Sequence, residues 1–226
     1  MPSRLRPKAS VAADAILVGD PGRALLLAQE LLEQPKMSNH ARGLWGYSGL
    51  TPAGSELTIQ ATGMGAPSAA AVMADLAKLG VQRVIRVGTC AGIQPEARLG
   101  TLCLVTGAIA MGGSAVSFGL ATGETIQPDS QLTERLQVEL GEQAHPTQVA
   151  SFDAMPPLST DTELDEPAAD MQTAAVLARA QQLGIHGAAM LIVAEDAESQ
   201  RISDEALEEA SKLAGRAASL ALQSVP

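Results

Sequence analysis

Apolar positions along this chain follow two rhythms. Short unbroken aliphatic runs read as buried strands: Ala15-Ile16-Leu17-Val18, about Glu56 to Ala61, 83–88, and Ala188 to Ala194. Thr101 to Ala108 is a further apolar segment. Apolar residues at helical spacing predict helices from Pro21 to about Glu33, through an alanine-rich stretch ending at Lys78, around Ser130 to Leu140, from Met171 to Leu183 and from Ser203 to Leu222. Gly80 and Gly184 stop two of them. Strands running into glycine-bearing turns at 15–33, 56–79 and 83–92 predict a single α/β domain whose central mixed β-sheet is flanked by helices.

The remaining segments are less regular. Residues 1–13 are polar, with Pro2 and Pro7 and three basic residues, and predict an extended arm ahead of a domain at 14–226. Pro35 to Gly54 holds the only Trp and the only Tyr in a glycine-spaced stretch, read as a loop entering a strand or as a hairpin packed by Trp45 and Tyr47. Gly112-Gly113 to Gly123 is glycine-rich, and residues 144–170 read as irregular, with an acidic cluster that a solvated loop accounts for.

Two arginines sit where the pattern disfavours them. Arg86 interrupts Val84-Ile85-Arg86-Val87, a run that otherwise reads as buried parallel strand, so a carboxylate or a bound anion must meet it. The Gly88-Thr89-Cys90-Ala91-Gly92 turn that follows can face an anion with backbone N–H groups and a hydroxyl. Arg23 lies in the first turn of a helix that Asp20 caps and Pro21 opens, where the helix dipole disfavours a cation unless an anion shares the turn. In open α/β sheets, turns at the carboxyl ends of strands are where ligands bind.

Composition narrows the function. With 226 residues, 46% of them hydrophobic, the chain can bury one large core. A net charge of −10 excludes nucleic acid as the expected partner, because phosphate backbones are bound by basic surfaces. Aromatics are only 2%, which leaves few rings to stack on a ligand. Cys90 and Cys103 are too few for a disulfide framework and lack metal-ligand spacing, and the three histidines are scattered, so no metal site is expected. Cys90 reads as a small buried hydrophobe rather than a nucleophile. Neither an apolar run of about 18 residues nor a secretory leader is seen, which predicts a cytoplasmic protein.

Taken together, Gly19-Asp20-Pro21-Gly22-Arg23, Arg42-Gly43, Gly63-Met64-Gly65-Ala66-Pro67-Ser68 and Ile85-Arg86-Val87-Gly88-Thr89-Cys90 resemble the nucleoside phosphorylase family that includes the hexameric bacterial purine nucleoside phosphorylases and the uridine phosphorylases. Asp170-Met171-Gln172-Thr173-Ala174-Ala175 looks like that family's ribose-binding segment, and Ile192-Val193-Ala194-Glu195-Asp196 like its catalytic strand end. The resemblance implies a phosphate pocket of Gly19, Arg23, Arg86 and Thr89, completed by Arg42 from the neighbouring subunit of a homo-oligomer, a dimer or a hexamer built of dimers. It implies nucleoside contacts from Met64, Met155, Met171 and Gln172, a general acid at Glu195 or Asp196, and inorganic phosphate as co-substrate with no other cofactor.

Four positions depart from the family pattern. Gln172 replaces a ribose-binding glutamate, and offers one acceptor oxygen where a carboxylate offers two. Glu195 occupies the aspartate position of the purine enzymes, with Asp196 beside it. Met155 stands where the family stacks an aromatic ring on the base, and the arm lacks the histidine that the bacterial enzymes lend to a neighbouring site. The expected activity is phosphate-dependent cleavage of a nucleoside to free base and pentose 1-phosphate, weakly purine-preferring because position 195 is acidic. The alternatives are a uridine phosphorylase and a non-catalytic protein of the same fold that binds phosphate or a nucleotide-like ligand.

Overall fold

The structure, a computed structural model, describes residues 4–95, 97–154 and 165–223. Among the described residues, ten strands form one mixed sheet: β1 (Asp14–Val18), β2 (Glu33–Asn39), β3 (Gly46–Leu50), β4 (Glu56–Ala61), β5 (Arg83–Gly92), β6 (Leu102–Ala110), β7 (Thr125–Ile126), β8 (Ala144–Ser151), β9 (Ala168–Asp170) and β10 (His186–Glu195). Six α-helices among the described residues accompany it: α1 (Pro21–Leu31), α2 (Ala66–Lys78), α3 (Gly113–Val116), α4 (Ser130–Leu140), α5 (Thr173–Leu183) and α6 (Asp204–Gln223). The expected α/β domain with a mixed sheet between helices is therefore what the chain forms.

The sheet runs β10-β6-β8-β9-β5-β1-β4-β3-β2, and β10 also pairs with β5. Five strands, β5, β10, β6, β8 and β9, consequently close on themselves, while β1, β4, β3 and β2 extend outward as an open wing. β5 lies between β1 and β10, parallel to both, which makes it the most enclosed strand. Its alternation divides the core. Ile85 and Val87 join Ile16, Val18 and Ile192 against α1, α4 and α6, whereas Val84 joins Ala15 and Leu17 against α2 and α5. Arg86, two positions from Val84, faces the second of these layers.

Local chemistry explains the element ends. Asp20 accepts from the backbone N–H of Arg23 at 2.8 Å and Pro21 opens α1, while Asp129 caps α4 through the N–H of Leu132. Gly184 takes a left-handed conformation, φ +70°, to end α5. A two-pronged ion pair from Arg83 to Asp14, 2.6 and 2.7 Å, fixes the register of β1 against β5.

Three parts of the sequence reading are corrected. Residues 144–170 are not irregular throughout, because β8 lies inside the closed ring between β6 and β9. Its Ala144-His145-Pro146-Thr147-Gln148 start has no strand-like apolar pattern, and pairing with β6 decides its conformation. α1 stops at Leu31, and β2 begins two residues later and pairs antiparallel with β3. β2 is an edge strand exposed over Glu33 to Met37, so it lacks the apolar face that would have marked it, and it tolerates Pro35. The glycine-rich stretch contains the short helix α3. Residues 4–13 carry no helix or strand, yet Leu5 is buried and the N–H groups of Arg4 and Leu5 both donate to the buried carboxylate of Asp75 on α2.

α6 closes over α1 through a glycine. A Cβ on Gly215 would lie 2.6 Å from Cδ2 of Leu27, which is fully buried. Gly215→Val should therefore force the two helices apart and destabilise the protein by about 1–3 kcal/mol, despite valine's better helix propensity. Thermal unfolding measures this, and an unchanged midpoint would show that the helices are not in contact here.

Candidate functional site

The carboxyl ends of β1, β4, β5 and β10 open into one cleft of about 860 Å³. Its lining includes Gly19, Arg23, Met64, Arg86, Thr89, Met171, Gln172 and Glu195, which the sequence reading had nominated, together with Asp170, Ser199 and Arg201. The cleft lies where a strand-end site is expected in an α/β sheet.

Arg86 is 4% exposed and its guanidinium is pinned by three side chains. Nη2 donates to Asp170 Oδ2 at 2.9 Å, Nη1 to Gln172 Oε1 at 2.9 Å and Nε to Thr173 Oγ1 at 3.2 Å. These bonds use three of the five guanidinium N–H groups. Gly88 makes the seat possible, because a Cβ there would lie 2.5 Å from Cζ of Arg86. The strand thus carries its arginine folded over its own glycine two residues on, and of the two partners the sequence allows, a carboxylate or an anion, the chain itself supplies the carboxylate, while Arg86 also lines the cleft.

Asp170 is a well-satisfied carboxylate. Besides Arg86 it accepts from Ser151 Oγ at 2.6 Å, Thr173 Oγ1 at 2.6 Å, and the N–H groups of Gln172 and Thr173 at the start of α5. Ser151 Oγ in turn accepts from the N–H of Ala174 at 3.0 Å. Sequence reasoning gave no role to Asp170, Ser151 or Thr173. The available signal was an acid followed three positions later by Thr at the head of an alanine-rich helix, which is capping chemistry.

Gln172 is equally committed. It is 4% exposed, its Oε1 accepts from Arg86 with the Thr62 hydroxyl 3.3 Å away, and its Nε2 donates to the carbonyl of Gly63 at 2.7 Å. The amide needs opposite polarity at its two ends, which a carboxylate lacks. Gln172 therefore ties the Gly63-Met64-Gly65 turn to Arg86. Gly63, φ +73°, has no room for a side chain, since a Cβ would meet Ser68 Oγ at 2.7 Å.

Arg23 faces the same cleft from the first turn of α1. Burial lowers its pKa, the Asp20 carboxylate opposes that shift, and the charge of Arg86 adds to it. No ion pair to Arg23 forms among the described residues. Two guanidinium groups that repel each other across a cleft, beside a helix N-terminus and the Thr89 hydroxyl, form a site that an oxyanion would stabilise.

Next to β5, the β10–β5 ladder slips between Val193 and Glu195, a bulge at the strand end beyond which Glu195 lines the cleft. Arg201 Nε donates to Glu195 Oε2 at 3.3 Å. Asp196 turns away: its Oδ1 accepts from the N–H groups of Glu198 and Gln200, 3.0 and 2.9 Å, and closes the 196–200 turn. The structure thus separates the two acidic candidates, with Glu195 in the cleft and Asp196 holding a loop.

The other nominated residues divide. Met171 lines the cleft and Met64 stands at its rim, 83% exposed. Met155 lies outside the described residues. Arg42 is exposed on a 3₁₀ turn and does not reach the cleft of its own chain. Cys90 is buried at the cleft floor, where a hydrogen bond with Cys103, followed by burial, pushes its thiol well above the ordinary pKa, as suits a packing residue. Among the described residues, no cluster of His, Cys, Asp or Glu could hold a metal ion, and no helix is long and apolar enough to cross a membrane.

Comparison with known proteins follows the same line. The phosphorylase superfamily profile matches residues 14–226. A DeoD-type purine nucleoside phosphorylase of Oceanobacillus iheyensis is 43% identical over 98 residues, 42% of this chain and 41% of that protein. Another, of Caldanaerobacter subterraneus subsp. tengcongensis, is 39% identical over 90 residues, 39% of this chain and 38% of that one. The chain aligns with about two-fifths of the length of these relatives. Uridine phosphorylase of Vibrio fischeri, solved with 6-hydroxy-1-naphthoic acid, has the same fold: TM-score 0.84 at 23% identity, over 95% of this chain and 93% of that one.

Gly88→Ala should displace the Arg86 guanidinium and strand Asp170, a loss of roughly 3–5 kcal/mol for a broken buried pair. Gln172→Glu should cost roughly 1–3 kcal/mol, since it sets an acceptor against the Gly63 carbonyl in place of a donor. Urea denaturation checks both, and wild-type stability in both variants would mean that Arg86 is seated elsewhere.

Proposed function

The chain belongs to the phosphorylase superfamily, and from that premise we propose that it is a nucleoside phosphorylase that cleaves a nucleoside with inorganic phosphate, with a weak preference for purines. The observation that carries this reading is that Arg23 and Arg86, whose charges act unfavourably on one another, line one cleft together with Glu195. A phosphate between the two guanidinium groups relieves their repulsion and is aimed into the cleft.

In this reaction a phosphate oxygen attacks the anomeric carbon, the carbon–nitrogen bond breaks through an oxocarbenium-like transition state, and the base departs with a proton. Glu195 is the proton donor in its protonated form, its proton on Oε1 while Oε2 accepts from Arg201 Nε, and it leaves the step as the carboxylate that Arg201 pairs with. Positioning and charge complementarity supply the remainder, so phosphate is the co-substrate and no further cofactor takes part. Arg42, exposed and remote from its own cleft, completes the anion site of a neighbouring copy in a homo-oligomer, in the cytoplasm.

One observation favours a second reading. Gln172, at the position of a ribose-binding glutamate, spends its amide on Arg86 and Gly63, as a protein that binds a phosphate-bearing ligand without turnover could afford to do. Chromatography of free base from a panel of purine and pyrimidine nucleosides, with and without phosphate, separates the two. Phosphate-dependent release of base from purine nucleosides is the expected result, and no release from any nucleoside would leave the binding protein. Glu195→Gln should lower kcat by ~10²–10⁴ on the nucleosides that are cleaved, and Asp196→Asn far less. Equal losses would remove Glu195 from its role.

A further inference from the structure

The turn that carries Arg42 is built with unusual care for an exposed loop. Arg42 itself is left-handed, φ 61° and ψ 20°, a conformation that non-glycine residues adopt only when their surroundings impose it, and Gly43 follows with φ +69°. The segment His40 to Gly43 is held between two buried residues, Asn39, 2% exposed, and Leu44, 8% exposed. Asn39 Nδ2 donates to the carbonyls of both Ala41, at 3.3 Å, and Leu44. Gln60 Nε2 adds a bond to the Leu44 carbonyl at 2.9 Å.

Asn39 is itself held from the N-terminal arm. Its Oδ1 accepts from the backbone N–H of Arg6 at 2.8 Å, next to a bond from the N–H of Lys8 to the carbonyl of Ser38 at 2.7 Å. One residue earlier the arm is clamped by Asp75, which is 1% exposed and accepts from the N–H of Leu5 at 3.0 Å. A chain of buried and half-buried polar contacts therefore runs from α2 through the arm to Asn39 and ends at Arg42, whose backbone is left-handed and whose exposed side chain makes no ion pair among the described residues.

We infer that Asn39 is a positioning residue for Arg42, and that the arm at residues 4–8 serves the anion site by holding Asn39 in place. The inference rests on the reading that Arg42 reaches the phosphate of a neighbouring copy. Fixing a long side chain at its backbone reduces the freedom lost when it closes on an anion, so the gain appears in phosphate affinity and leaves the chemical step alone.

Three variants of the full chain test this, with KM for phosphate, KM for nucleoside and kcat measured separately and the assembly checked by light scattering. Arg42→Ala should raise KM for phosphate by about tenfold or more, the loss of a charge-assisted contact. Asn39→Asp keeps the acceptor for Arg6 N–H but loses both donors to the turn. It should raise KM for phosphate about three- to tenfold, with kcat and nucleoside KM unchanged. Arg6→Pro removes the N–H that Asn39 accepts and should act in the same direction. If Arg42→Ala weakens phosphate binding and the other two do not, the positioning role is overturned while the shared site stands. If Arg42→Ala has no effect, the shared site fails and the inference with it. If Asn39→Asp raises both KM values alike, Asn39 is a structural residue only.

Discussion

A guanidinium in the middle of an enclosed parallel strand is the constraint around which this molecule is arranged. An unpaired charge at Arg86 would cost several kcal/mol, so the chain brings Asp170 from β9, and Thr173 and Gln172 from the start of α5, to meet it. Each of those partners creates an obligation of its own. Asp170 needs Ser151 and the N-terminal N–H groups of α5, Gln172 needs the carbonyl of Gly63, and Gly88 must remain without a side chain. The strand ends β4, β5, β8 and β9 are thereby connected by one polar network, and the cleft is the part of that network left open to solvent. Asp170 neutralises Arg86 within the fold, and two of the five guanidinium N–H groups are left over from its three side-chain bonds.

On the proposed function, the same network accounts for anion binding in a protein of net charge −10. Surface carboxylates act through water and are screened within about 8–10 Å at physiological salt. Arg23 and Arg86 act at contact distance and within a partly dry wall, where each interaction is stronger. Affinity at this site is consequently a short-range property of a few oriented donors.

What could be read from the sequence follows from the same physics. Arg86 and Arg23 stand out because each breaks a local rule, a cation in a buried strand and a cation in a helix's first turn, and local rules are what a sequence displays; Gly19 and Glu195 were nominated only through the family resemblance. The fold was legible because β1, β4, β5 and β10 are apolar and the first three run into glycine-bearing turns. β8 and β2 were not, since one opens with exposed His145, Pro146 and Gln148 and the other is an exposed edge; both take their form from their pairing partners. Separating Glu195 from Asp196 required the ladder slip at Val193 and the 196–200 turn, and neither leaves a mark in residue type. The commitment of Gln172 to Gly63 was invisible for the same reason.

The way the sheet ends carries a consequence for how the protein behaves in a crowded solution. Because β5, β10, β6, β8 and β9 close into a ring, the long sheet path terminates in an edge at β2 on the side of the wing. That edge is a poor template for a foreign strand: Gln34 has φ +47°, Pro35 lacks an N–H, Lys36 is charged, and the pairing with β3 slips twice along its length. A large sheet is usually a liability for self-association through backbone pairing. Here one end of the main path is sealed by topology, the other is spoiled by sequence, and the side branch β7 is only two residues long, so among the described residues the sheet presents little continuous edge for fibrous growth.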